Sequence, residues 1–103
     1  MRKRRSDRKH VLYGLTLMDT GDTYVGVTVA DGAALVRAVK VRVQKHFSRA
    51  FTEDKAWTLC QAIRSNPNGD WRYEVLEVVR GRKAAHQRER TLIAERRATL
   101  NTF

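Results

Sequence analysis

Five polar side chains in this sequence together carry the groups that hydrolysis of a phosphodiester bond requires. They are two phenols, a guanidinium, an imidazole and a carboxylate: Tyr13, Tyr24, Arg42, His46 and Glu89. A phenol or an imidazole can position or deprotonate a water molecule, and a guanidinium can hold a phosphate. A carboxylate can hold a divalent metal ion. Each residue alone also fits an ordinary structural role, so the secondary structure that positions them matters.

The two tyrosines lie in strands that the sequence predicts to be neighbours. Residues 11–17 and 24–29 alternate in the manner of β-strands, and the turn cluster Asp19-Thr20-Gly21-Asp22 joins them. The pair is therefore predicted to form an antiparallel hairpin. Tyrosines in strands are most often packed aromatics. The alternative is that both hydroxyls converge with the other three groups on one surface of the sheet.

A helix predicted over residues 33–47, with Asp31 as its N-cap, carries the guanidinium and the imidazole. Helical spacing places Arg42 and His46 one turn apart, on a face whose first half is apolar. A buried charge needs a partner. The two side chains therefore either meet polar groups on this face or extend to solvent near the end of the helix.

The carboxylate lies on a helix predicted over residues 83–99, where Glu89 shares a face with apolar residues. Such a carboxylate either pairs with an arginine or holds a metal ion. The candidate arginine partners are Arg42, Arg82 and Arg96. Glu95 lies on a different face of the same helix and is expected to be solvated.

Two further elements complete the predicted domain. A second helix is predicted over residues 53–64, the cluster at 65–70 ends it, and a third strand follows over residues 71–79. The order is ββααβα, which predicts a small α+β domain in which helices flank a three-stranded antiparallel sheet. The two tryptophans, Trp57 and Trp71, are expected to anchor the core rather than to stack on bases.

The composition is that of one globular domain with a strong excess of positive charge. The chain has 103 residues, of which 42% are hydrophobic, so a fully disordered chain is excluded. Lys and Arg number 21 against 11 Asp and Glu, a net charge of +10, which predicts nucleic acid or an anionic membrane as partner. The apolar run at residues 10–18 is too short to span a bilayer. The single cysteine, Cys60, excludes an internal disulfide and favours the cytoplasm.

The positive charge is dense in residues 1–10, which we predict to be a flexible arm ahead of a single domain over residues 11–103. The arm is expected to contact a nucleic-acid backbone or to serve solubility alone. Its cations are Arg2, Lys3, Arg4, Arg5, Arg8 and Lys9. Because the arm has no apolar face, membrane binding is disfavoured and nucleic acid is the expected partner.

Five segments, in order, resemble the motifs of the GIY-YIG nuclease superfamily, and together they extend over residues 10–101. The matching segments are Val11-Leu12-Tyr13, Tyr24-Val25-Gly26, Arg42-Val43-Gln44-Lys45-His46-Phe47, Glu89-Arg90-Thr91-Leu92-Ile93 and Leu100-Asn101. Three departures stand beside them. Val11 occupies the place of the first glycine, and Val27 the place where some members have a lysine. The interval from Gly26 to Arg42 is longer than usual, which makes Arg37 a rival to Arg42.

The resemblance implies a DNA endonuclease that depends on Mg²⁺ or Mn²⁺, built on a three-stranded antiparallel sheet flanked by helices. Glu89 would hold the metal ion, Arg42 would hold the scissile phosphate, and His46 would hydrogen-bond a tyrosine or a phosphate oxygen. Tyr13 is favoured as the base and Tyr24 as the phenol that positions water. A base role requires the pKa of the tyrosine to fall below its ordinary value of about 10, which nearby cations would achieve.

By the same resemblance, Gly26 and Lys45 are expected to contact nucleic acid, and Asn101 is expected to be structural. One site per chain would nick a single strand, so cutting both strands would need a homodimer or a partner protein. A small basic member of this family fits a phage or mobile-element protein in the host-cell cytoplasm. The alternative is a nucleic-acid-binding module without catalysis, whose binding falls with salt and does not depend on Glu89.

Overall fold

The computed structural model describes residues 8–30, 34–53 and 57–101. The elements are β1 (Lys9–Leu17), β2 (Asp22–Val29), α1 (Leu35–Thr52), α2 (Thr58–Ser65), β3 (Trp71–Arg80) and α3 (Arg82–Glu95). The strands form one sheet in the order β2-β1-β3, and both pairs are antiparallel. The predicted α+β class and the ββααβα order are therefore confirmed. Within the described part of the chain, every helix is too short or too polar to cross a bilayer.

The central strand β1 is covered on both faces, which explains why its middle residues are all buried. On one face, Tyr13 and Leu15 pack against Val39 of α1 and Ile63 of α2. On the other, Leu12 packs with Leu92 of α3 in a second, smaller cluster. Successive side chains of a strand point to opposite faces, so Tyr13 belongs to the α1 and α2 side of the sheet.

The sheet begins earlier than the sequence pattern predicts. Lys9 pairs with Arg80 of β3, and its carbonyl accepts the Ala30 N–H at 3.0 Å. Lys9 and His10 therefore belong to β1 and not to a flexible arm, because the hydrogen-bond ladder continues through them. Arg8 is described and exposed. The other predicted arm cations, Arg2, Lys3, Arg4 and Arg5, lie outside the described residues.

The first two helices also differ from their predicted bounds. α1 has Ala34 at its N-cap with no side-chain hydrogen bond, while the predicted cap, Asp31, lies outside the described residues. The helix continues past its predicted end at Phe47 because Ala50 still packs into the core, at 1% exposure. α2 begins at Thr58 and not near residue 53, with Trp57 at its N-cap.

The last helix ends at Glu95, short of its predicted end near Thr99, because the chain reverses there. Arg97 has a φ of 49°, in the left-handed region. The Arg97 N–H bonds to the Ala94 carbonyl at 3.3 Å, and the Ala98 N–H bonds to the Ile93 carbonyl at 3.0 Å. This pair of bonds is a Schellman motif, which glycine usually closes. The sequence signal for the helix end is weak because an arginine occupies the left-handed position.

Asn101 joins the C-terminal segment to the outer edge of β2. Its Oδ1 accepts the Val25 N–H at 2.9 Å, and its Nδ2 donates to the Val25 carbonyl at 2.8 Å. The Leu100 N–H donates to the Thr23 carbonyl at 3.0 Å. These bonds satisfy backbone groups that an edge strand would otherwise leave open, which is the contact expected of a structural asparagine.

Replacing Asn101 with alanine is expected to lower the free energy of unfolding by about 1–3 kcal/mol, because two backbone groups of Val25 lose their partner. Urea unfolding measures the loss. Gln61→Ala, which removes an exposed amide from α2, is the matched control and is expected to stay near the wild type. Equal stability of the two variants would contradict the structural role of Asn101.

Candidate active site

Three aromatic rings from β1, β2 and α1 meet on one face of the sheet. The Tyr13 hydroxyl oxygen lies 2.8 Å from Nε2 of His46, in a buried hydrogen bond. The ring centroids of Tyr24 and His46 are 5.2 Å apart, and those of Tyr13 and Tyr24 are 6.2 Å apart. Two adjacent strands and the facing side of α1 therefore bring together three of the five predicted residues.

Gly26 is the reason that both tyrosine rings fit. It pairs with Tyr13 across the hairpin, and a Cβ at Gly26 would lie 2.5 Å from the Tyr13 hydroxyl oxygen. The same Cβ would lie 2.7 Å from Cε1 of Tyr24. Gly26 is buried, so the close approach that it permits is that of the tyrosine rings. The expectation that nucleic acid approaches at Gly26 is not met in this arrangement.

Tyr24, Arg42, His46 and Glu89 line a single cleft with a volume of about 500 Å³. Each comes from β2, α1 or α3, and Asn101 closes one end. Tyr13 lies immediately beneath and does not line the cleft. The structure thus places four of the five predicted residues on one accessible surface.

Arg42 lines this cleft and its rival Arg37 does not. Arg37 is exposed and lines a neighbouring groove along α1, which Arg42 and Lys45 also line. Arg42 is half-buried, and its Nε has no hydrogen-bond partner among the described residues. A buried donor without an acceptor carries a desolvation cost, so an anionic oxygen entering the cleft would gain a strong partner here.

Glu89 faces the cleft with a side chain that is 21% exposed, and its Oε1 lies 3.6 Å from Nδ1 of His86, a contact that is an ion pair only when the imidazole is protonated. The predicted pairing with an arginine is not found among the described ion pairs. Of the three candidates, Arg96 pairs with Glu74 at 3.4 Å instead. The spacing from His86 to Glu89 is three residues on one helix, so the nearer imidazole takes the place of the arginine.

A single carboxylate in an open cleft fits one class of metal site. The described residues contain no group of three or more His, Cys, Asp or Glu side chains placed to enclose an ion. Mg²⁺ and similar ions are commonly held by one or two carboxylates, with water and substrate phosphate supplying the other ligands. The Glu89 carboxylate fits that mode, and the cleft has room for the remaining ligands.

Burial sets the pKa of both tyrosines above the ordinary value. For Tyr13, burial is the largest cause and the neighbouring Tyr24 adds to it, while Arg42 opposes them. For Tyr24, burial again comes first and the Glu89 charge adds to it. The expectation that nearby cations lower the pKa of a tyrosine is therefore wrong for the protein without a metal ion. Desolvation of the phenolate outweighs the guanidinium.

The two tyrosines differ in access. Tyr13 is completely buried and its hydroxyl is bonded to His46. Tyr24 is partly exposed and lines the cleft. A substrate in the cleft can meet Tyr24 but not Tyr13, so the predicted assignment of Tyr13 as base and Tyr24 as positioning phenol does not fit this geometry.

His46 is neutral at physiological pH. Burial lowers its pKa to about 4, and the positive charges of Arg42 and Arg49 act in the same direction. A neutral imidazole has one donor and one acceptor nitrogen, so the tautomer of His46 sets which partner donates in its bond with the Tyr13 hydroxyl. The pair fixes the orientation of the Tyr13 ring under the cleft.

The neutral state of His46 predicts an acid-sensitive fold. Between its ordinary pKa of 6.5 and about 4, the unfolded chain binds a proton on His46 that the folded chain does not. The free energy of unfolding therefore falls as the pH falls through this window, by up to about 3 kcal/mol. His46→Gln removes this titration, so its stability should decline less steeply with acid in urea unfolding.

Gln61→Ala, which changes an exposed side chain without a titratable group, is the control and should keep the acid dependence of the wild type. Parallel curves for His46→Gln and the wild type between about pH 7 and pH 4 would contradict the buried, neutral state.

Several residues of the cleft wall lie beyond the predicted set. Arg49 and Arg90 add positive charge, and Cys60 contributes a buried thiol. The signal for Arg49 was available, because it lies seven residues after Arg42 and so on the same helical face.

Trp57 also lines the cleft and is 49% exposed, so its predicted role as a core anchor is wrong. It stands at the N-cap of α2, outside the helical repeat on which that prediction depended. Trp71 does anchor the core. Its ring packs edge-on against Phe47 with centroids 5.7 Å apart, and its Nε1 donates to the Asn66 carbonyl at 3.1 Å.

Comparison of the chain with family models, with curated proteins and with solved structures found no match. The function is therefore argued from the residues of the cleft and their chemistry.

Proposed function

We propose that this chain is a metal-dependent endonuclease of the GIY-YIG type that hydrolyses phosphodiester bonds in DNA. The observation that carries the proposal is the convergence of Tyr24, Arg42, His46 and Glu89 in one cleft. These four residues come from three elements, and each of them also fits an ordinary structural role. Their arrival at one surface, in a chain of net charge +10, supports a phosphate-directed site.

Arg42 is the residue that binds the scissile phosphate in this proposal. Its guanidinium can donate to two phosphate oxygens and balance the charge that develops on them. Arg49 and Arg90 on the walls attract the polyanion toward the cleft.

Glu89 would hold the metal ion through its carboxylate. A bound Mg²⁺ or Mn²⁺ supplies electrostatic stabilisation of the phosphate and of the leaving oxygen. His86, one turn earlier on α3, lies against the same carboxylate and limits its rotamers.

Tyr24 is the phenol that meets the substrate, and Tyr13 acts through it. The Tyr24 hydroxyl orients the attacking water by hydrogen bonding. The charge of Glu89 contributes to the raised pKa of Tyr24, so neutralising that charge lowers this pKa. A lower pKa favours the phenolate form of Tyr24, which can act as a base. Tyr13, held by His46, is a positioning residue that keeps the Tyr24 ring in place.

The test is a cleavage assay on supercoiled plasmid with Mg²⁺, with Mn²⁺ and with EDTA. Open-circular product that forms only with metal is the expected result, since each chain has one such cleft. Linear product that grows with protein concentration would indicate a homodimer. Intact plasmid, single-stranded DNA and RNA under all conditions would overturn the proposal.

The raised pKa of both tyrosines favours one other function, a nucleic-acid-binding module without catalysis. Neither phenol is prepared to lose a proton in the protein alone. Salt-dependent binding of DNA, without any cleavage of the DNA, would establish this second function.

Tyr24→Phe is expected to lower the rate of plasmid nicking by about 10²-fold or more, because it removes the hydroxyl that contacts the attacking water. Tyr13→Phe removes a buried hydroxyl that bonds to His46 and also interacts with Arg42 and Tyr24, and it should mainly reduce stability, by about 1 kcal/mol. Nicking rates and urea unfolding on both variants separate the two roles. A fully active Tyr24→Phe, or an inactive but well-folded Tyr13→Phe, would reverse the assignment.

A further inference from the structure

A second pocket, of about 420 Å³, lies at the end of the sheet where β1 begins and β2 and β3 end. We call it the Arg82 pocket. Its lining contains three arginines and two histidines, and the end of β2 adds one threonine and two valines. The residues are Arg8, His10, Arg42, Arg82 and His86, with Val27, Thr28 and Val29. No carboxylate is among them.

The carboxylates described near the sheet are engaged elsewhere. Three carboxylates of β3 and α3 pair with arginines outside the pocket: Glu74 with Arg96, and Glu77 and Glu95 with Arg88. Glu89 lies in the cleft, 3.6 Å from His86, which lines the pocket. Asp19, Asp22 and Asp70 lie at the opposite end of the sheet, where Asp19 accepts the Asp70 N–H. Within the described residues, the three arginines of the Arg82 pocket therefore have no ion-pair partner.

Three guanidiniums around one concavity repel each other and raise the local positive potential. Such an arrangement favours an anionic ligand, and the forked donors of arginine match a phosphate group. The volume exceeds that of a single ion, since one water occupies about 30 Å³. The exposed Val29 and the neighbouring Val27 add apolar surface to the pocket, which suits a sugar attached to the phosphate.

The Arg82 pocket is continuous with the cleft through two residues. Arg42 lines both concavities. His86 lines the pocket and lies 3.6 Å from the Glu89 carboxylate of the cleft. A strand whose scissile phosphate lies at Arg42 would therefore extend its backbone toward Arg8 and Arg82.

We propose that the Arg82 pocket binds a backbone phosphate of the same polynucleotide strand, adjacent to the phosphodiester that is cut. This inference rests on the proposed nuclease function and assigns Arg82 and His86 to substrate binding. It implies that the enzyme recognises a continuous phosphodiester backbone on this side of the cleft, and not a free phosphate or a strand end.

The experiment measures binding without cleavage, in EDTA, by the fluorescence anisotropy of a labelled DNA duplex. The logarithm of the affinity is plotted against the logarithm of salt concentration from about 50 to about 200 mM. Each phosphate contact contributes about 0.9 to the slope, so Arg82→Gln should reduce the slope by about one unit. Arg8→Gln, which removes another arginine of the pocket, should give the same reduction and replaces Arg82→Gln if that variant folds poorly.

Two controls make the result specific. Lys40→Gln removes one charge from an exposed part of α1 outside both concavities and should leave the slope unchanged. Arg37→Gln alters the groove that Arg37, Arg42 and Lys45 line along α1, which is the rival path for the strand. A reduced slope for Arg37→Gln with an unchanged slope for Arg82→Gln and Arg8→Gln would overturn the proposal.

Inorganic phosphate, added at constant ionic strength, separates the two sources of a phosphate ligand. It should not displace the duplex at millimolar concentration if the pocket requires a polynucleotide backbone. Displacement that disappears in Arg82→Gln would show a free-phosphate site and would overturn the proposal.

The plasmid assay distinguishes this failure from failure of the proposed function. For the nuclease, Arg82→Gln should raise KM several-fold with little change in kcat, because the contact lies away from the reacting atoms. Salt slopes that change in a protein that never cuts would retain the pocket and reject the nuclease. Cleavage by a protein whose salt slope is the same in Arg82→Gln and Arg8→Gln as in the wild type would retain the nuclease and reject the pocket.

Discussion

Glu89→Gln is expected to abolish metal-dependent cleavage, lowering the rate by about 10³-fold or more. The substitution keeps the shape of the side chain but removes the negative charge of the carboxylate that lines the cleft in the described part of the chain. Loss of a metal ion that stabilises a transferring phosphate removes several kcal/mol of transition-state stabilisation. Plasmid nicking rates at saturating Mg²⁺ measure the effect, and urea unfolding confirms that the variant is folded.

Glu95→Gln provides the matched control on the same helix. Its carboxylate is exposed and lies 3.8 Å from Arg88, outside the cleft. An exposed ion pair of this kind contributes little to stability, so activity and fold should both stay near the wild type. Metal-dependent cleavage by Glu89→Gln at the wild-type rate would remove Glu89 from the site. Its contact with His86 would then be its whole role.

Gly26→Ala is expected to produce the largest loss of stability, about 3 kcal/mol, together with loss of cleavage. The added methyl would approach the Tyr13 hydroxyl oxygen to 2.5 Å and Cε1 of Tyr24 to 2.7 Å, closer than carbon atoms tolerate. Tyr13 is fully buried, so its ring has no free space to enter. Insertion of a methyl into a packed core typically costs 1–3 kcal/mol, and displacement of both phenols disturbs the cleft above them.

Gly14→Ala is the control that separates crowding from backbone freedom. Gly14 follows Tyr13, the ladder partner of Gly26, and pairs with Val25. A Cβ at Gly14 would lie 3.6 Å from the Leu76 methyl groups and 3.8 Å from Cγ of Glu74, which are ordinary packing distances. Alanine is favoured over glycine in a strand by about 0.5–1 kcal/mol, so this variant should be as stable as the wild type or slightly more stable. Equal stability of the two alanine variants would show that the tyrosine rings move away from Gly26 in solution and leave room for a methyl group.

The elements were predictable from the sequence because their signals are local. The alternation over residues 11–17 and 24–29 and the turn between them are properties of one short stretch of chain. Element ends were less predictable. α1 extends to Thr52 because Ala50 meets the core, and α3 ends early at a left-handed arginine. Both depend on contacts made after the chain has folded.

The site was predictable as a set of residues but not as an arrangement. Helical spacing placed Arg42 and His46 on one face, and the structure brings that face to the tyrosines. The same reasoning assigned an arginine to Glu89, where the fold places His86. It also expected the pKa of a tyrosine to fall, whereas burial raises it. Burial is the sum of atoms from several elements, so no single stretch of sequence reveals it.

The sequence by itself determined the α+β order, the excess of positive charge and the five groups on which a phosphodiester hydrolase would depend. Only the tertiary structure decided which phenol is accessible, what the absent side chain of Gly26 makes room for, and that Arg8 and Arg82 share a pocket. Periodicity and charge belong to consecutive residues and are legible along the chain. Accessibility and desolvation depend on which distant elements pack together, and that is settled when α1 and α3 close over the two faces of the sheet.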